Sequence, residues 1–121
     1  MKRILSLKKN SEFQVVFNEK QSVANRQFVV YKLNKDGQPF TRVGLSVSKK
    51  IGNAVTRNRI KRYIKNSLQQ FGSRFKVGYD CVIIARKPTS DMSLEETRNS
   101  LNHVLKLAEI LSKGERGKEQ K

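Results

Sequence analysis

One stretch of this sequence gathers residues that could bind an anion: Lys49-Lys50-Ile51-Gly52-Asn53-Ala54-Val55-Thr56-Arg57-Asn58-Arg59-Ile60-Lys61-Arg62. Placed on a helix at about 100° per residue, Ile60, Tyr63, Ile64, Leu68 and Phe71 fall on one side as a core face. Asn58, Lys61, Arg62 and Lys65 recur at i, i+3, i+4 and i+7. They form a separate stripe about 100° wide, flanked by Arg59. Like charges at i and i+4 destabilise an isolated helix by roughly 0.2–0.5 kcal/mol. Basic residues near the N-terminus also oppose the helix dipole. An external anion that relieves both is the economical explanation. The helix N-terminus behind Gly52 adds free backbone N–H groups that suit a phosphate. A solvated basic face without a partner is the plainer alternative. Arg57 projects towards the apolar side, and the stripe does not account for it.

A second constellation is aromatic. Phe13, Phe17, Phe28 and Tyr31 lie on a first helix and a neighbouring strand. Bases of single-stranded RNA stack on such rings, although helical spacing by itself says core. Beside them, Thr41, Val43, Leu45 and Val47 point one way along a strand, and Arg42, Gly44, Ser46 and Ser48 point the other. The second face is small, polar and basic, so a bulky partner can approach it closely. Hydrolysis by the protein itself is disfavoured. Its acids are scattered and form no recognisable two-metal cluster, so neither catalytic nor metal-ligating residues are expected. The one histidine, His103, sits mid-helix, and Cys81 has no metal-ligand companions.

These groups belong to 121 residues with 26 Lys plus Arg against 10 Asp plus Glu, a formal net charge of +16. Such an excess repels itself in the compact state and points to a polyanionic partner. Composition does not separate RNA, DNA and an anionic membrane. A lone cysteine in an apolar run fits a reducing compartment. The apolar part of the N-terminus is too short for a signal peptide. No window approaches the roughly 18 apolar residues of a membrane helix. A soluble, cytoplasmic protein with no membrane partner is expected.

The elements that must position these residues follow from periodicity and caps. A helix is predicted over about Ser11–Glu19, capped by Asn10 or Ser11. A short strand is predicted near Ser22–Ala24, a strand over Gln27–Leu33, and, after an Asp-Gly turn, another over about Thr41–Lys49. Asn53 caps the basic helix, which runs to about Gln70. The apolar run in Tyr79–Arg86 suits a central buried strand, and Lys87–Ser90 reads as a loop. Ser93 and Glu96 form a capping box that opens the last helix. Residues 1–112 are expected to form one RNA-binding domain, with 113–121 a flexible basic tail. The order makes a compact α+β fold with one mixed, four-stranded sheet packed with helices.

The residues from Ser46 to Arg62 resemble the signature of the bacterial ribonuclease P protein subunit, with Arg57-Asn58-Arg59 at its centre. The likeness extends to Ser22-Val23-Ala24-Asn25-Arg26-Gln27-Phe28 and to Ile83-Ile84-Ala85-Arg86-Lys87-Pro88. The resemblance implies a fold like a ribosomal-protein domain, with a left-handed β-α-β crossover through the basic helix. It implies a partnership with a large catalytic RNA that uses Mg2+ to remove the 5′ leader of precursor tRNA, with no protein partner required. The family's RNA-docking helix maps to Arg57, Asn58, Arg59, Lys61, Arg62 and Lys65, with Lys49 and Lys50 before it. Its leader cleft maps to Phe13, Phe17 and Tyr31, with Ser46 and Ser48 beside them. A ribosomal-type or RNA-chaperone module without a role in cleavage is the alternative.

Overall fold

The computed structural model describes residues 4–19 and 21–112, and the tail expected at 113–121 lies outside them. Among these residues five strands and three α-helices follow in the order β1 (Ile4–Ser6), α1 (Asn10–Asn18), β2 (Ser22–Ala24), β3 (Phe28–Asn34), β4 (Thr41–Ser46), α2 (Ala54–Phe71), β5 (Tyr79–Ala85) and α3 (Leu94–Leu107). The sheet runs β1-β4-β5-β3-β2. β4 and β5 pair in parallel and are joined by α2, while β3 pairs antiparallel with both β5 and β2. The sheet therefore has five strands rather than the expected four. The additional strand, β1, pairs in parallel with β4 from Ile4↔Thr41 to Ser6↔Val43. Its three residues are too few to show an alternation, so only the pairing defines it.

Local chemistry sets the helix ends. The Asn53 side chain accepts from the Thr56 N–H at 2.9 Å and opens α2. Gly72, at φ 55°, closes α2 in a conformation that a side chain would resist. Ser93 and Glu96 form the expected reciprocal cap on α3. α1 differs from expectation. It starts from Lys9 without a side-chain cap, so Asn10 and Ser11 are inside it. The chain enters straight from the sheet edge: the Leu7 N–H donates to Val43 O, and Lys9 O accepts from the Glu12 and Phe13 N–H groups.

The two faces of the sheet are covered unequally. On one, α2 and α3 bury Ile60, Ile64, Leu101, Val104 and Leu105 against Phe28, Val30, Cys81 and Ile83. Burial pushes the Cys81 thiol up to about 12, so it stays protonated and inert. Among the described residues the other face carries only α1, whose Val16 packs on Leu7 and Val82.

An ionic junction also fastens α1. Arg42 on β4 reaches Asp80 on β5 with its Nη2 at 2.6 Å and its Nε at 3.0 Å. Its Nη1 reaches Glu12 on α1 at 2.8 Å. Burial opposes ionisation of Asp80, but hydrogen bonds from Arg42 and Gln38 together with nearby positive charge outweigh it, and the carboxyl titrates below its ordinary 3.8. Because the folded value is depressed, this stabilisation is complete above the ordinary value and fades as pH falls through it. Arg42→Ala is expected to cost roughly 2–3 kcal/mol in urea unfolding, less than the ~3–5 kcal/mol of a fully buried pair because Arg42 and Glu12 keep some water. Asp80→Asn is expected to flatten the acid limb of stability against pH, and an unchanged limb would show that the junction does not govern acid unfolding.

Candidate nucleic-acid interface

Four of the five residues expected on the core side of α2, Ile60, Ile64, Leu68 and Phe71, are buried, while Tyr63 is half-buried at its margin. Asn58, Arg62 and Lys65 are exposed on the other side, and Arg59 and Lys61 are half-buried beside them. α2 contains no acid. Among the described residues, both ion pairs belong to Arg42, so none of the α2 cations has an acidic partner.

Three of these cations are positioned by contacts that helical periodicity does not reveal. Arg57 turns back past the helix start, its Nε donating to Gly52 O at 3.1 Å. Arg59 Nη2 donates to Ser90 O at 2.6 Å, tying α2 to the 3-10 turn Lys87–Asp91. The Arg62 guanidinium lies 5.7 Å from the Tyr63 ring centre. Lys49 and Lys50 are exposed in the turn that follows β4. Sequence reasoning left Arg86 and Lys87 out of the site. Both are exposed where β5 ends, and Lys87 Nζ donates to Lys50 O at 3.3 Å, drawing the two basic segments together. Two adjacent cations directly after a buried apolar strand are the signal that could have found them.

The aromatic group lies on the opposite face of the sheet. Phe13 and Phe17 meet edge to face at 6.4 Å, and Phe17 meets Tyr31 at 4.9 Å. All three are half-buried, leaving part of each ring to solvent. Phe28 does not join them: it is fully buried in the main core. It stands three residues from Tyr31 on one strand and therefore points the other way. Ser46 is half-buried at the end of β4. Ser48 lies beyond the strand, which stops earlier than the expected Lys49, and its carbonyl accepts from the Ile51 N–H in a turn.

Gly44 makes room for this cleft. A β-carbon there would stand 2.4 Å from Phe13 Cζ and 3.2 Å from Leu7 O. Only a glycine lets α1 seat Phe13 on the strand. Gly44→Ala is expected to push the Phe13 ring outward and loosen its contact with Phe17. Ring-proton contacts between Phe13 and Phe17 in an NMR spectrum measure this, and unchanged contacts would show that the cleft tolerates the methyl group.

Comparison with known proteins points one way. The Ribonuclease P family model matches residues 1–109. The ribonuclease P protein component of Bacillus mycoides is 59% identical over 106 residues, covering 88% of this chain and 92% of that protein. That of Halalkalibacterium halodurans is 57% identical over 111 residues, covering 92% of this chain and 93% of that protein. The Staphylococcus aureus RNase P protein structure superposes with a TM-score of 0.81 at 46% identity, covering 88% of this chain and 97% of that one. The Thermotoga maritima RNase P protein superposes with a TM-score of 0.76 at 28% identity, covering 84% and 96%. Family match, identity and fold each span most of the sequence, and the chain belongs to the ribonuclease P protein family as a subunit of that ribonuclease.

Proposed function

We propose that this subunit docks the catalytic RNA of ribonuclease P along the outer side of α2 and holds the single-stranded 5′ leader of precursor tRNA in the cleft between α1 and the sheet. The RNA then cuts the leader away and leaves the mature 5′ end. One observation carries the reading: an 18-residue helix that contains no acid presents Arg59, Lys61, Arg62 and Lys65 with no acidic partner among the described residues. Phosphates on those cations release condensed counterions, and that release drives binding. Arg57, Asn58, Lys49 and Lys50 extend the same surface. Phe13, Phe17 and Tyr31 offer ring faces to unpaired bases, and Ser46 and Ser48 offer hydroxyls beside them.

In this reading the protein positions RNA and supplies no catalytic group. No cluster of three or more His, Cys, Asp or Glu able to hold a metal occurs among the described residues. Glu12 and Asp80 are both committed to Arg42. In this reading the Mg2+ is bound mainly by the RNA of the holoenzyme. No described helix is long and apolar enough to cross a membrane. With an unpaired, buried Cys81, the cytoplasm is the compartment that suits the protein.

A cleavage assay tests the proposal. Precursor tRNA is expected to stay intact with the protein alone, and the protein is expected to stimulate 5′ cleavage by the catalytic RNA at low Mg2+. Cleavage by the protein alone, or absence of stimulation, overturns it. The second result would favour a ribosomal-type or RNA-chaperone module.

Two substitutions separate the surfaces. Arg62→Ala is expected to weaken binding to the catalytic RNA and lower the salt slope by roughly one. Arg62 is a cleaner probe than Arg59, whose bond to Ser90 also supports the fold. An unchanged slope marks the α2 stripe as a solvated face. Phe17→Ala is expected to weaken precursor tRNA binding by about ten-fold or more, as for one lost stacking contact, and to leave mature tRNA nearly unaffected. Equal losses for both would mean that the ring serves the core.

A further inference from the structure

β1 is shorter than its neighbour. Its last pair is Ser6↔Val43, whereas β4 runs on to Ser46. The residue whose backbone next faces that edge is Leu45, two positions after Val43. Beside it lies a pocket of about 550 Å³ that wraps the sheet edge, lined by Val43, Leu45 and Leu68 on the α2 side and by Leu5, Leu7 and Phe13 on the α1 side. Lys8, Lys61 and Lys65 stand around it, Gln69 and Ser6 line it, and no acid does. The volume falls within the range of small-ligand sites. Among the described residues the three lysines have no ion pair.

This combination is selective. Three cations without acids call for an anion, and a greasy slot under them calls for a flat apolar group attached to it. An unstacked nucleotide supplies both in one unit, with an amide-seeking base edge for Gln69, Ser6 and the open backbone of Leu45. A bare phosphate would leave the leucine walls unused, and an apolar ligand would leave the lysines unpaired.

Lys61 and Lys65 come from the helix assigned above to the catalytic RNA, and Phe13 lines both the pocket and the proposed leader cleft. Resting on that reading of α2, we propose that the pocket receives one unstacked nucleotide of the catalytic RNA, its base against the leucines and its phosphates on Lys61 and Lys65. The nucleotide locks the register of the RNA on a helix whose sequence-independent charge attraction alone would let it slide.

The test uses the full chain with the catalytic RNA. Leu5 is 37% exposed, so its replacement spares the core. Leu5→Ser is expected to weaken binding about three- to tenfold through lost apolar contact while leaving the salt slope unchanged, and Leu5→Phe to retain affinity. Lys61→Ala is expected to lower the slope by about one. If Leu5→Ser binds normally while Lys61→Ala lowers the slope, the pocket holds no base and this proposal falls, but the α2 reading stands. If neither matters, both fall. A photo-crosslinking amino acid at position 5 identifies the source. It is expected to mark a single nucleotide of the catalytic RNA without substrate present. Marking only precursor tRNA, or marking many positions, overturns the assignment.

Discussion

The guanidinium of Arg42 ties α1 to the adjacent strands β4 and β5. It projects from the sheet face that α1 covers, bonds an aspartate nearly sealed in the neighbouring strand, and extends its remaining nitrogen to Glu12 on the helix above. The apolar seal beneath α1 is small, centred on Val16, Leu7 and Val82. The ionic junction therefore carries a larger share of the work of fixing α1 than it would over a broad core. Where α1 stands decides where Phe13 and Phe17 stand. A pair lost between two strands would cost stability, and the same pair linked to α1 also sets the width of the cleft.

The unequal covering of the sheet organises everything else. The face under α2 and α3 is dry and closely packed, and it provides the stability that the sparsely covered face does not. Because side chains alternate along a strand, one strand can serve both ends. β4 sends Val43 into the core and Gly44 under Phe13, and β3 sends Phe28 inward and Tyr31 outward. α2 divides in the same way around its circumference. Its buried side is held by ordinary aliphatic packing, so its outer side is free to carry charges that an isolated helix would tolerate poorly.

What was legible in the sequence was local. Asn53 and the Ser93–Glu96 pair act within one helical turn, and both caps occur where the sequence places them. The α2 core side follows from periodicity because its partners need only be apolar, not specified. What was illegible depended on distant partners. Arg42 meets groups 30 and 38 positions away, and β1 exists only because β4 lies beside it. The start of α1 at Lys9 follows from the same edge contact. Phe28 parts from the other rings for a different reason. Apolar chemistry already favoured the core for it, and strand parity relative to Tyr31, readable in the sequence, decides its direction. The motif around Arg57 needed the resemblance to a known family, since spacing alone left that arginine without a role.

The early end of β1 has a consequence for how molecules of this protein treat one another. An uncovered strand edge is a template on which another chain can lay a strand of its own, the first step towards aggregation. Here the open stretch of β4 is fringed by Lys8, Lys61 and Lys65, and the whole chain carries a large positive charge. Two copies approaching edge to edge would bring like charges together in a confined space before a single backbone bond could form. The lysines thus oppose edge-to-edge pairing, and a polyanion that neutralised them would cover the vulnerable edge in the same event.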